Sequence, residues 1–127
     1  MTTISMLIDG ERRQAANGAS FERRNPLDGS VATRAPAATP GDAVAAVEAA
    51  QRAFAAWSQT GPGERRALLQ KAAHALEARS EAFVQAMARE TGASAMWAGF
   101  NVHLAGGILA EAAALTTQIA GGVIPSD

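Results

Sequence analysis

Thr39-Pro40-Gly41-Asp42-Ala43-Val44-Ala45-Ala46-Val47 is the stretch where the chain changes character. A threonine in the N-cap place, a proline at the first helical position and an acid in the first turn together mark a helix start. From there Val44, Val47, Phe54 and Trp57 recur at helical spacing and define one face expected to be buried. Alanine supplies 32 of the 127 residues and becomes dense from Ala43 onward. It is the best helix former and loses no side-chain entropy. The shift therefore separates a β-rich head, residues 1–38, from a helical body, residues 39–122.

Downstream, Gly61-Pro62-Gly63 breaks the first helix. A second is expected from about Pro62 to Arg79, with Leu68, Leu69, Ala72, Ala73 and Leu76 inward. Ser80 can cap a short third helix carrying Phe83, Val84 and Met87, which Gly92 ends. The fourth is expected from Ser94 to Ile119. Its apolar set is Met96, Phe100, Leu104, Ile108, Ala112, Leu115 and Ile119, closed by Gly121-Gly122. Val123-Ile124 then opens a strand, so residues 123–127 form a third, truncated segment. Upstream, Met6-Leu7-Ile8 is followed by Asp9-Gly10, the pair that best supports a tight hairpin, with Glu11-Arg12-Arg13 as the return strand. Asn17-Gly18 signals another turn. Phe21 to Asn25 and Ser30 to Ala35 are strands around Asn25-Pro26-Leu27-Asp28-Gly29, and Pro36 is expected to confine the second to a sheet edge. Such short hairpins need something to lie on. The fold class is mainly α with short β-hairpins.

Lys+Arg 11 against Asp+Glu 12 gives a net charge of −1. That balance argues against nucleic acid and anionic membrane as partners, since both select basic patches. Arg12-Arg13, Arg23-Arg24 and Arg65-Arg66 have acids nearby and are expected on solvated surface. No run of about 18 apolar residues is expected to span a bilayer. Met1-Thr2-Thr3-Ile4 carries no secretory pattern, so the expected compartment is the cytoplasm. The chain has no cysteine, which removes disulfides and thiolate metal sites.

Few residues offer chemistry. His74 and His103 are the only histidines, placed on different helices, whereas a metal needs three or four converging ligands. No metal site is expected. Glu77 and Glu81 lie at i, i+4 on an exposed, Arg-bearing face. No Gly-x-Ser-x-Gly elbow occurs. Gly106-Gly107 and Gly121-Gly122 are not phosphate loops, because the first interrupts a helix and the second ends one. Small residues inside a long helix more often let a neighbouring backbone come close.

Taken in order, six segments resemble the opening of the NAD(P)-dependent aldehyde dehydrogenase superfamily. They are Leu7-Ile8-Asp9-Gly10-Glu11; Phe21 through Asn25-Pro26-Leu27-Asp28-Gly29; Asp42-Ala43-Val44 through Ala53-Phe54-Ala55-Ala56-Trp57; Glu64-Arg65-Arg66-Ala67-Leu68-Leu69; Glu90-Thr91-Gly92; and Gly121-Gly122-Val123-Ile124-Pro125. The stretch from Trp97-Ala98-Gly99-Phe100-Asn101 through Leu115-Thr116-Thr117-Gln118-Ile119 is similar to the branch acting on aromatic aldehydes, the salicylaldehyde, vanillin and benzaldehyde dehydrogenases.

The resemblance implies an incomplete piece of the α/β aldehyde dehydrogenase fold, the amino-terminal part of its cofactor-binding domain. It implies a parent enzyme that oxidises aldehydes, aromatic ones above all, to acids with NAD or NADP, through thiolate attack, hydride transfer and hydrolysis. A cysteine-free chain cannot supply the thiolate. No catalytic or cofactor-binding residue is therefore assigned here, the chain alone is expected to be inactive, and it is expected to bind no dinucleotide. The implied partners are the remainder of the enzyme chain, a small aldehyde and further copies in a homo-oligomer. In the family the apolar face of the fourth helix borders the aldehyde entrance, which implies a substrate-tunnel role for Phe100 and Leu104. The other function class is a non-catalytic helical interaction module derived from the same family.

Overall fold

The computed structural model describes residues 2–122. Five strands precede four helices: β1 Thr2–Thr3, β2 Met6–Ile8, β3 Glu11–Arg13, β4 Ser20–Arg24, β5 Val31–Pro36, then α1 Pro40–Trp57, α2 Pro62–Glu77, α3 Ser80–Thr91 and α4 Ala95–Leu115. The chain divides into two compact units, Met1–Gln59 with Gln85–Ala95 and Thr60–Val84 with Met96–Asp127.

In the first unit β2 and β3 pair antiparallel, Ile8 opposite Glu11. Asp9 (φ 56°) and Gly10 (φ 76°) both take the left-handed conformation that a two-residue hairpin turn of this hand demands. A second sheet has the order β1-β5-β4. β4 runs antiparallel to β5, with a register shift between Arg23 and Arg24. β1 runs parallel to β5, with Thr2 opposite Thr33. This corrects the edge assignment of β5. Pro36 occupies its last position, opposite Ser20, so the missing N–H costs no interior ladder bond, and β5 is the central strand. β1, two threonines long, carries too little pattern to be recognised in advance.

Local side-chain chemistry explains the turns. Asn25 Oδ1 accepts the Leu27 N–H at 2.9 Å, and Asp28 Oδ1 accepts the Ser30 N–H at 2.9 Å and its hydroxyl at 2.6 Å. These bonds hold the Asp28 carboxyl below its usual pKa. At the α1 start the Thr39 hydroxyl accepts the Asp42 N–H at 3.2 Å, while Asp42 Oδ2 accepts the Thr39 N–H at 2.8 Å. This is a reciprocal capping box. Asp42 also accepts the Ala16 N–H at 3.2 Å, tying the preceding loop to the helix.

α3 is fastened to the sheet by one carboxylate. Glu90 accepts the Thr33 hydroxyl at 2.6 Å and meets Arg23 Nη1 at 2.9 Å. Gly92 (φ 71°) follows, and a Cβ there would stand 3.1 Å from Pro26 Cγ and 3.3 Å from Leu27 Cγ. Backbone conformation and close approach both require glycine at that helix end.

The face buried in α1 departs from the one expected. In α1 the buried residue is Ala49, while Val44, Val47, Phe54 and Trp57 are exposed. In α4 the buried residues are Ala98, Val102, Gly106 and Ala113. Met96, Phe100, Leu104 and Ile108 stand outside, as do Leu115 and Ile119. Leu68 and Phe83 are likewise exposed. The residues these helices bury are small ones, Val102 apart, and many of the large apolar side chains are exposed.

α4 also stops at Leu115 rather than Ile119. The Thr116 hydroxyl donates to Ala113 O at 2.9 Å, and Thr hydroxyls compete with the helical ladder in this way. The Gly121-Gly122 pair is thus not the terminator, and the strand expected at Val123-Ile124 lies outside the described residues. By length and composition α4 does pass the test for crossing a membrane, with mean hydropathy 1.2 over 18 residues, contrary to the expectation of no such stretch. Alanine and glycine raise that average.

Candidate functional site

α4 positions both sequence-derived site residues. Phe100 and Leu104 are one turn apart on its outer face, about half exposed at 51% and 47%. Phe100 stacks on Trp97, with ring centroids 5.5 Å apart and planes 25° apart. Rings three residues apart on a helix meet in this way. Met96, Trp97 and Phe100 line an open hollow of about 250 Å3. Its wall is aromatic and thioether, a surface that takes flat apolar groups through ring packing and area burial. Leu104 continues the same face a turn further on but does not line the hollow. The sequence reading did not assign Trp97 to this face. Its spacing to Phe100 was the available signal.

The two histidines, on different helices, border the same hollow. His74 on α2 and His103 on α4 line one hollow of about 370 Å3 together with Gln70, Glu77 and Gly106. Among the described residues no group of three His, Cys, Asp or Glu is arranged to hold a metal. Glu77 and Glu81 do not share a helix face. α2 ends at Glu77 and Glu81 belongs to α3. Gly106 does permit close approach, but by a side chain: a Cβ there would lie 3.1 Å from Glu77 Oε1.

A dinucleotide's phosphates are held where a strand passes through a glycine-rich turn into a helix N-terminus. Among the described residues Gly61-Pro62-Gly63 opens α2 without a preceding strand, Gly92 ends α3 and Gly106 lies within α4. These glycines do not form such a seat.

With that geometry in view, relatives decide the lineage. The family described as "Aldehyde dehydrogenase family" matches residues 13–127. The chain belongs to the aldehyde dehydrogenase family. A vanillin dehydrogenase of Pseudomonas fluorescens is 54% identical over 127 residues, all of this chain and 26% of its own length. The crystal structure of a salicylaldehyde dehydrogenase from Pseudomonas putida G7, complexed with salicylaldehyde, superposes with a TM-score of 0.94 at 42% identity, covering 100% of this chain and 26% of that one. An NAD-dependent benzaldehyde dehydrogenase from Corynebacterium glutamicum gives a TM-score of 0.90 at 33% identity, over 95% of this chain and 27% of that one. The chain spans about a quarter of the length of these family members.

Proposed function

We propose that these residues serve as the amino-terminal portion of a dehydrogenase that oxidises aromatic aldehydes to carboxylic acids with NAD or NADP. Head and helices belong to its cofactor-binding domain. The thiolate nucleophile, general base and cofactor contacts come from residues outside these 127. Phe100 and Leu104, with Trp97 beside them, line the approach of the aldehyde. The remainder of the enzyme covers the apolar face of α1 and, beyond Leu104, Ile108 and Leu115 of α4. On the family resemblance alone we assign the whole enzyme to the cytoplasm as a homo-oligomer.

The observation that carries this reading is the outward aromatic face of α4 in a chain with no thiol. Helix faces that expose Phe100, Leu104 and Ile108 need a cover or a ligand. A family whose chemistry needs a nucleophile cannot draw one from this composition. The relatives named above act on aromatic aldehydes by their names, which supports the substrate class.

A chimera tests the reading. These 127 residues replace the matching segment of the Pseudomonas fluorescens vanillin dehydrogenase, and NAD- and NADP-linked oxidation of vanillin, salicylaldehyde and benzaldehyde is followed. The chimera is expected to turn over all three, and the chain alone none. An inactive but folded chimera, or turnover by the chain alone, contradicts the proposal.

A further inference from the structure

Hydrophobic burial does not by itself choose which side of α4 faces inward. Among Ala95–Leu115 the only Asp, Glu, Lys or Arg is Glu111, so the helix is apolar nearly all round. Burying Met96, Phe100, Leu104 and Ile108 would remove more apolar area from water than burying Ala98, Val102, Gly106 and Ala113. Yet Ala98 and Ala113 are fully buried and Met96 is 85% exposed. Small residues allow close approach, but close approach alone leaves the rotation of the helix loosely set.

Arg66, in the first half of α2, supplies a directional contact. Its Nε donates to Ala113 O at 3.2 Å, and its Nη2 to Ala114 O at 3.4 Å and to Thr117 Oγ1 at 3.0 Å. The last carbonyls of a helix have no partner within it and carry the negative end of its dipole, so a guanidinium there is doubly favoured. Successive carbonyls are about 100° apart around the axis. A planar fork that grips residues 113 and 114 together favours the rotational setting of α4 that brings those two carbonyls to Arg66.

We infer that Arg66 is the rotational lock of α4: by gripping the carbonyls of Ala113 and Ala114 it holds the small-residue face inward and presents Phe100 and Leu104 outward. Arg66 is thus a positioning residue for whatever meets that face.

The chain has no cysteine, so single thiols report facing directly. Val102→Cys and Leu104→Cys are made separately with Arg66, Arg66→Lys and Arg66→Ala. Maleimide labelling rates and helical circular dichroism are measured on each. With Arg66 in place, position 104 is expected to react at least about tenfold faster than 102, because a buried thiol waits for local opening. Arg66→Ala is expected to bring the two rates within about threefold while the helical signal persists. Arg66→Lys, which keeps the charge but not the fork, falls between. An unchanged ratio in Arg66→Ala overturns the inference. So does the absence of any ratio with Arg66 in place, and so does loss of helix in both variants, since the arginine would then hold the helix together rather than choose its face.

Discussion

In the first unit a helix is fastened to a sheet by one carboxylate, as Glu90 takes the Thr33 hydroxyl and the Arg23 guanidinium. In the second, a helix packs through alanine and glycine, and an arginine grips its end. The first arrangement is polar, local and specified by residue type. The second depends on shape and leaves an apolar face for something else to cover. Polar, short-range ties are complete in themselves, and apolar faces are not. Turns and caps satisfy their own groups within a few residues. A face that exposes Phe100, Leu104 and Ile108 does not.

The sharpest way to break that contrast is to overfill the small-residue face. Ala98 is fully buried, and Ala98→Leu is expected to lower stability by about 3 kcal/mol, since added methylenes force shifts in a close-packed site. Urea unfolding followed by helical circular dichroism measures it. A loss below about 0.5 kcal/mol would mean that α4 is not closely packed there. On the polar side, Glu90→Ala removes the charged acceptor from Thr33 and Arg23, and about 2 kcal/mol is expected to go. Hydrogen exchange in β5 and α3 should rise together, and an effect confined to α3 would show that the tie carries little.

A smaller effect sharpens the account of the caps. The Asp42 carboxyl sits below its usual 3.8 because it accepts the Thr39 N–H, the Thr39 hydroxyl and the Ala16 N–H. The folded state therefore binds a proton less readily than the unfolded one. The contribution of Asp42 is fully present above 3.8 and is lost as pH falls through the lower folded value. Urea midpoints of the wild type and Asp42→Asn are expected to differ at neutral pH and to converge as the solution is acidified through that window. A gap that stays constant would mean that the carboxylate's charge is irrelevant. Least of all is expected from Gly106→Ala. The three atoms nearest the added Cβ all belong to the Glu77 side chain, and alanine favours the helix by about 1 kcal/mol over glycine, so the net change should stay within about 0.5 kcal/mol. A large loss would place rigid backbone where the structure shows a side chain.

The elements most legible in the sequence were those whose signals are short-range. Asp9-Gly10 gave the hairpin, Thr39-Pro40 the start of α1 and Gly92 the end of α3, because each acts through its own backbone angles or nearest hydrogen bonds. The central place of β5 was not legible, because its second neighbour is a two-residue strand of threonines. The inward face expected for α1 is not the one buried: Ala49 is buried, and Val44, Val47, Phe54 and Trp57 are exposed. A periodic row of large apolar residues usually marks the core, and here alanine takes that place while the large row is turned outward. The early end of α4 was hidden too, since it coincides with a side-chain bond from the Thr116 hydroxyl to Ala113 O that no short motif announces. Of the site, Phe100 and Leu104 were chosen through the family resemblance, and the structure added the Trp97 stack.

The central claim is that the outward face of α4 meets an aromatic aldehyde, and Phe100→Ala in the vanillin dehydrogenase chimera tests it most directly. Values of kcat/KM for benzaldehyde and propanal are measured with a melting curve on the same variant. Loss of a ring contact should lower the benzaldehyde value by about 5- to 150-fold and the propanal value much less, with Tm nearly unchanged. Equal losses for both substrates with a lower Tm would contradict the claim, and Phe100 would then be a packing residue under the rest of the enzyme.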